Sequence, residues 1–479
     1  MISENWTRLL CLLYVLLAFV SSAVAQNASP PTHEQIDTYI QDGMEQLNLT
    51  GSAFAAFAGK EITHVRGFGR ADSSGRAVTP QTPFQIASLT KSFTSLIVLQ
   101  LADEGQISID DPVEKHIPEF HTADPDVSSR ITIRHLMNHR SGLSMLDGNR
   151  YQRTTYRGSD ATGRAVRRLR TAKLETEPGA QYQYSNANYA TLAHLVEAIE
   201  KKPFEEVLKA RIFAKLGMSN TFAQVPDKPV VAEALGHMQW FGIPVEDHLI
   251  AGRMMIGAGS IVSSAEDLAT YLIAVAQNDP RIIPPTLTES WAKDREAAYE
   301  FGWQHDTFDG QRAIFHDGGN PGFRAVVMYL PGTDKGALFL MNTSGTLEGN
   351  LHYGAVRYAL GLPPVDIAPA PFFQKLLWGS LGFTVFLLAM SVLSILRLRK
   401  NVAKLWSPSK PLRWALIVIP SLCLIAFAFT LWFYVPRLFG VNFAASSLFY
   451  PDFGALQLAQ ILIALAWAGL RTVFLLRRD

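Results

Sequence analysis

The chain has 479 residues, 48% of them apolar, and its 43 basic and 42 acidic side chains leave a formal net charge of +1. That length holds one large domain with additional segments, and the balanced charge gives no reason to expect a nucleic-acid partner. Cys11 lies near the start and Cys423 in a late apolar run; with only these two cysteines, the central region offers neither a disulfide nor a cysteine zinc site.

Met1 to Ala25 has the pattern of a secretory signal: Arg8 in a short polar start, an apolar run from Leu9 to Val20, and Ala23-Val24-Ala25 as an A-x-A cleavage site. The run is short for a spanning helix, which favours cleavage over an uncleaved anchor. Thr32 to Gln35 has capping-box form, and Ile36, Tyr39, Ile40 and Leu47 follow at helical spacing. Ser52 to Ala58 and Glu61 to Gly69, separated by Gly59-Lys60, predict a β-hairpin.

The next stretch, Phe84 to Gly105, carries Ser88 and Lys91 at the spacing S-x-x-K, with Leu89, Phe93, Leu96, Ile97 and Leu101 as a helical apolar stripe. Ser88 is therefore expected at or near a helix start, where free N–H groups and the dipole favour a developing oxyanion. Residues three apart share a helical face, so the Lys91 amine can reach the Ser88 hydroxyl and take its proton if burial lowers the lysine pKa. Alone, S-x-x-K is common, and a Ser at a helix start is usually a cap. Two further motifs follow it in order: Tyr184-Ser185-Asn186, of the form Y-x-N, and His316-Asp317-Gly318, where S-x-x-K hydrolases carry K-T-G.

With these three motifs the chain resembles the serine hydrolases related to class C β-lactamases, low-molecular-weight penicillin-binding proteins, D-aminopeptidases and β-lactamase-like esterases. The resemblance runs from about Pro31 to Leu362. It takes in Leu136-Met137-Asn138-His139-Arg140-Ser141-Gly142-Leu143, Glu177-Pro178-Gly179, Gly257-Ala258-Gly259-Ser260 and Ser263 to Leu268. It implies an α/β (α+β) fold of the β-lactamase/transpeptidase type, an antiparallel sheet domain with a mostly helical insertion from about Ile109 to Pro285. The β-rich segments Ala313 to Phe315, Phe323 to Leu330 and Ala337 to Met341, and the helical pattern from Leu347 to Leu360, would complete the sheet domain. Periodicity alone gives only α+β.

The resemblance also implies roles. Ser88 would attack a carbonyl to give an acyl-enzyme, with Lys91 and Tyr184 sharing proton transfer; which of the two is the base stays open. Asn186 would hydrogen-bond the substrate amide or Lys91, the Ser88 and Gly319 N–H groups would form the oxyanion hole, and Gly318 and Gly319 would let a strand edge approach the substrate. His316, in place of the usual Lys, would be a titrating anchor for a substrate carboxylate, weak at neutral pH and stronger near pH 5.5. Asp317 stands where Thr or Ser is common, and both departures weigh against penicillin hydrolysis. No metal and no cofactor are expected.

Two clusters in the insertion invite other readings. Arg150 to Arg170 is rich in Arg and Tyr; a basic rim for an anionic cell-wall fragment is one reading, and a solvated surface is favoured. His135 and His139 stand four apart, but no acidic residue in that run completes a metal site.

After Leu362 the composition changes. Residues 363–375 open as a Pro-rich linker, and three apolar runs follow, roughly Leu376 to Leu396, Trp414 to Val435 and Ala455 to Leu470, each near the ~20 residues that cross a bilayer. Arg397, Arg399, Lys400, Lys404, Lys410 and Arg413 crowd the first connection, and Arg471, Arg477 and Arg478 the C-terminus. By the positive-inside rule these are cytoplasmic, which places the hydrolase domain outside, in agreement with the signal. The expected organisation is a signal peptide at 1–25, a hydrolase domain at 26–362, the linker at 363–375 and a membrane domain at 376–479. The expected protein is a multi-pass membrane hydrolase whose periplasmic or extracellular domain acts on a small-molecule or peptide ester, amide or D-amino-acid peptide bond. The alternative is a non-enzymatic, penicillin-binding-like ligand sensor, which has no need of a nucleophile and its base.

Overall fold

In the computed structural model of this protein, residues 30–149, 156, 158–225, 233–247, 252–285, 287–288, 298–405 and 410–476 are described. The signal-like stretch Met1 to Ala25 lies outside them, as do Arg150, Tyr151, Arg153 and Arg157. Thr32 caps helix α1 (His33–Gln46) reciprocally with Gln35, as its sequence predicts. The hairpin also forms: β1 (Gly51–Ala58) and β2 (Glu61–Gly69) meet at a turn where Gly59 takes φ +59°.

After the insertion come β3 (Tyr299–Glu300), β4 (Trp303–Phe308), β5 (Gln311–Asn320), β6 (Phe323–Leu330) and β7 (Lys335–Met341). They join the hairpin in one seven-stranded sheet of order β2-β1-β7-β6-β5-β4-β3, antiparallel at each pairing. Side chains on successive strand positions point to opposite faces, and both faces are apolar here. Phe54, Val326, Met328, Phe339 and Met341 pack with Ile36 and Ile40 of α1. Ala55, Phe57, Val327, Leu338 and Leu340 belong to the larger core shared with the insertion. The sheet is thus the middle of three layers.

Ahead of the insertion, α2 (Thr90–Asp103) is buried on every side from Thr90 to Leu101, whereas the sequence predicts a single apolar stripe. Its hydroxyls find partners inside the core: Thr94 donates to the Gly257 carbonyl at 2.7 Å, and Ser95 meets the Tyr189 hydroxyl at 3.0 Å. Helices α3 (Asn186–Glu200) and α4 (Ala265–Ala276) flank it, and α5 (Leu351–Ala359) lies beside α1 on the other face of the sheet.

Three helices of the C-terminal region are long and apolar enough to cross a membrane: α6 (Pro371–Leu405), α7 (Lys410–Phe429, continued by a π-turn to Arg437) and α9 (Pro451–Leu476). Glutamines on α9 tie them together. Gln460 Nε2 reaches the Ser380 carbonyl, the Ser380 hydroxyl and the Thr384 hydroxyl of α6 at 2.9–3.1 Å, and Gln457 Nε2 donates to the Leu431 carbonyl at 2.9 Å. Between α7 and α9 lies a short helix, α8 (Phe443–Phe449), capped by Asn442.

This region packs against the sheet domain. Asp452, at the start of α9, is fully buried and accepts from the Thr346 hydroxyl at 2.7 Å, its neighbour Phe453 N–H at 2.7 Å and the Phe241 N–H at 3.1 Å. Asn149 donates to the Gly440 carbonyl at 3.2 Å.

Candidate active site

Ser88 stands on a 3₁₀ turn, Ala87–Leu89, that leads straight into α2. Ala87 holds φ +48°, a left-handed conformation that costs an L-residue roughly 1–2 kcal/mol. The surroundings impose it: the Ile86 N–H donates to the Ile261 carbonyl at 3.0 Å, and the Ile261 N–H to the Thr90 hydroxyl at 3.1 Å. Gly318 on β5 completes the clamp, because a Cβ there would run into the Ile86 carbonyl oxygen and stand 3.1 Å from the Ser88 nitrogen.

Lys91, one helical turn on, is fully buried. Its Nζ lies 3.0 Å from Ser88 Oγ and 2.7 Å from the Ala258 carbonyl. A carbonyl only accepts, so one amine hydrogen goes to Ala258, and a neutral amine keeps its lone pair for the Ser88 proton. Burial holds the Lys91 pKa well below its ordinary value, and the Asp317 charge opposes that shift without cancelling it.

Tyr184 donates to Ser88 Oγ at 2.7 Å. Burial pushes its pKa far above the usual value despite the Ser88 hydrogen bond, so the phenol is protonated at neutral pH. It precedes α3 on an extended segment that His139 fixes: His139 Nδ1 accepts from the Ser185 N–H at 3.1 Å and faces Asn188 Nδ2 at 3.0 Å. The His139 and Tyr184 rings lie 4.4 Å apart. His139 itself has φ +54° and stands beyond the helix that ends at Met137, so it does not face His135 as an i, i+4 pair.

Asn186 opens α3 and donates to Asn149 Oδ1 at 3.0 Å, while the bonds of Lys91 go to Ser88 and Ala258. Gly319 faces the cavity beside Ser88.

One expectation is corrected. His316 is only 1% exposed; its Nδ1 donates to the Asp317 carbonyl at 2.6 Å, which leaves Nε2 to accept from the Tyr299 hydroxyl at 3.2 Å. Desolvation lowers its pKa to about 4 against the opposing Asp317 charge, so it is neutral at pH 5.5 as well as at pH 7 and does not titrate as a carboxylate anchor. Asp317 points the other way along the strand and accepts from Gln304 at 2.9 Å.

A cavity of about 520 Å³ opens in front of Ser88. One wall is polar, built by Asn149, Asn186, Gln304, His316, Asp317 and Arg324. Arg324 is already paired with Glu348 at 2.5 Å. The opposite wall is apolar and comes from the C-terminal region: Phe373 and Leu376 of α6, Phe439, Phe449 of α8 and Phe453 of α9. Reasoning from sequence missed this wall, as it missed Asn149, Gln304, Arg324 and the positioning role of His139. The only available signal was the aromatic content of the connection between the second and third spans.

The Arg-rich stretch lies apart from the cavity where it is described. Arg164 and Arg167 pair with Asp160 at 2.8 and 3.5 Å, the arrangement of a solvated surface.

The family profile described as Beta-lactamase matches residues 36–360. The chain is 24% identical over 377 residues to the unguisins hydrolase ungD' of Aspergillus campestris, covering 74% of this chain and 69% of that one. It is 24% identical over 324 residues to protein flp of Staphylococcus aureus, covering 65% of this chain and 63% of the relative's length. The D-amino acid amidase of Ochrobactrum anthropi SV3 has the same fold, with a TM-score of 0.54 at 23% identity over 64% of this chain and 92% of that one.

Proposed function

The chain belongs to the beta-lactamase family, a match that spans residues 36–360, and from that premise we propose that it is an exported, membrane-anchored serine hydrolase working through an acyl-enzyme on Ser88. One observation carries the reading: Ser88 Oγ is held between the Tyr184 hydroxyl at 2.7 Å and the buried Lys91 amine at 3.0 Å.

In this reading the neutral Lys91 amine is the base and Tyr184 the proton donor. Lys91 takes the Ser88 proton as Oγ bonds to the substrate carbonyl carbon, and the N–H groups of Ser88 and Gly319 receive the oxyanion. The bond to the leaving alcohol or amine then breaks as that group takes a proton from Tyr184, which is replenished from the Lys91 ammonium. Water attacks the ester on Ser88 with Lys91 again as base, releasing the acid and restoring the serine. Asn186 and Asn149 orient the substrate.

Carboxylate capture finds little support in the cavity, where His316 is neutral, Arg324 is paired with Glu348 and Asp317 is acidic. We therefore favour esters, amides or D-amino-acid peptide bonds without a free carboxylate over β-lactams. The signal-like Met1 to Ala25, the three spans and the basic residues from Arg397 to Arg413 support an outward-facing domain anchored by 376–479. A fluorophosphonate probe tests the proposal: it should label the purified full chain and fail to label Ser88→Ala, which should also lose turnover of a p-nitrophenyl ester. Equal labelling or turnover in Ser88→Ala would refute it, and an unlabelled wild type would favour a sensor.

A further inference from the structure

The apolar wall of the Ser88 cavity is built by the ends of the membrane helices. Phe373 and Leu376 lie inside the first candidate span, Pro371–Lys400, and Phe453 inside the third, Pro451–Phe474. Phe449 closes the wall from α8, whose Leu448 is buried against the domain. Ser88, Tyr184 and Asn186 face this wall across the cavity. A reaction centre bounded on one side by bilayer-crossing helices opens at the level of the membrane surface, and next in the chain to the wall residues Phe373 and Phe439 stand two exposed apolar side chains, Phe372 at 60% and Leu438 at 81%. Water is a poor occupant for such a wall, and a cavity of about 520 Å³ has room for more than the scissile group.

Resting on the serine hydrolase reading above, we propose that the substrate is a membrane-resident ester or amide bearing a long alkyl chain. Its scissile group sits at Ser88 and its chain lies along Phe373, Leu376, Phe449 and Phe453. The reaction is balanced as a hydrolysis: the acyl carbon exchanges its bond to the leaving oxygen or nitrogen for one to Ser88 Oγ, and water then displaces Ser88 to give a carboxylic acid and an alcohol or amine. The polar wall holds the headgroup next to the scissile bond, and Asp317 selects against an anionic group at that point.

The test uses the full chain in proteoliposomes and two ester series, one with a four- or twelve-carbon chain on the acyl side and one with the chain on the alcohol side. The wild type should favour the longer member of at least one series by tenfold or more in kcat/KM. That ratio should collapse to within about threefold in Leu376→Gln and Phe449→Ser, both of which change partly exposed cavity positions. Turnover of the long ester should follow its mole fraction in the bilayer rather than its bulk concentration. Fluorophosphonate labelling of Ser88 is measured in the same samples. Labelling without a chain-length preference in either series overturns the lipid assignment and leaves the hydrolase reading standing. A preference retained in both variants also overturns it, because simple partitioning into the bilayer explains that result. Dependence on bulk concentration alone overturns the membrane source. Absence of labelling overturns the hydrolase reading and this one with it.

Discussion

Removing the Asp452 carboxylate should loosen the apolar wall from the sheet domain. The carboxylate is fully buried and serves three donors, the Thr346 hydroxyl, the Phe453 N–H and the Phe241 N–H. Phe241 sits at φ +52°, so its amide is fixed by a strained turn and has little freedom to seek another partner. A hydrogen bond to a charged group contributes about 1.5–3 kcal/mol, and a buried donor left alone costs about 1–3 kcal/mol. The Thr346 hydroxyl can rotate and the Phe453 N–H lies at a helix start, so the full sum is not lost. A docking loss of about 2–4 kcal/mol in Asp452→Ala remains, or roughly 30- to 700-fold in the ratio of docked to undocked wall. Asp452→Asn keeps one acceptor and should lose about 1–2 kcal/mol. Hydrogen exchange of the α8 amides, Phe443–Phe449, reads that ratio directly where reclosing is fast. Exchange unchanged within twofold in Asp452→Ala would show that this carboxylate does not hold the wall and would refute the reasoning.

Lys91→Ala and Tyr184→Phe should each lower kcat/KM by about 10²–10⁴, and the double variant should be little worse than either single one, because the two act on one proton path. In the wild type kcat/KM should rise with pH along an acidic limb as Lys91 loses its proton, and that limb should vanish in Lys91→Ala; a limb that persists assigns the base elsewhere. His316 should govern stability rather than turnover. Its folded pKa of about 4 lies below the unfolded value of about 6.5, so its contribution is present above pH 6.5 and is lost as the pH falls towards 4. The loss is about 3 kcal/mol over that window, read as a smaller acid-induced fall in Tm for His316→Gln than for wild type. Gly318→Ala should lose most turnover and lower Tm, because its Cβ drives β5 away from the Ile86 carbonyl beneath Ser88; wild-type kinetics would show that the turn has slack.

The local rules in the sequence found much of the fold. The capping box at Thr32, the turn at Gly59-Lys60 and the three apolar runs depend on residues within a few positions of one another, and each is where its pattern places it. The spacing of Ser88 and Lys91 also sufficed for their contact, because one helical turn fixes it. What escaped depends on distance along the chain. Tyr184 and His316 gain their ionisation states from burial by segments far away, and the ordinary histidine pKa was the wrong starting point for a side chain 1% exposed. In the proposed mechanism the choice between Lys91 and Tyr184 as base becomes physical only once both are seen to be buried and their pKa values move apart. The α8 wall leaves no periodic signal, since seven residues of mixed small and aromatic character carry little pattern. The bond from Asn149 to Gly440, just ahead of α8, spans 291 positions.

One helix is enough to tether a protein to a bilayer, and among the described residues three are long and apolar enough to do so and are joined to each other. The amides of Gln457 and Gln460 bond across helices, and inside a bilayer no water would compete for them, so α6, α7 and α9 would move as a single plate. A plate transmits position. Because it carries one side of the cavity, the proposed anchoring would make the bilayer a dimensional reference for the site: lipid thickness and lateral pressure would set where the plate rests, and with it the width of the cleft in front of Ser88. Grafting the soluble portion onto a single foreign span would keep the protein at the membrane while removing half of its cleft. Activity in this protein would then vary with the mechanical state of its lipid, a dependence that a tethered soluble domain does not have.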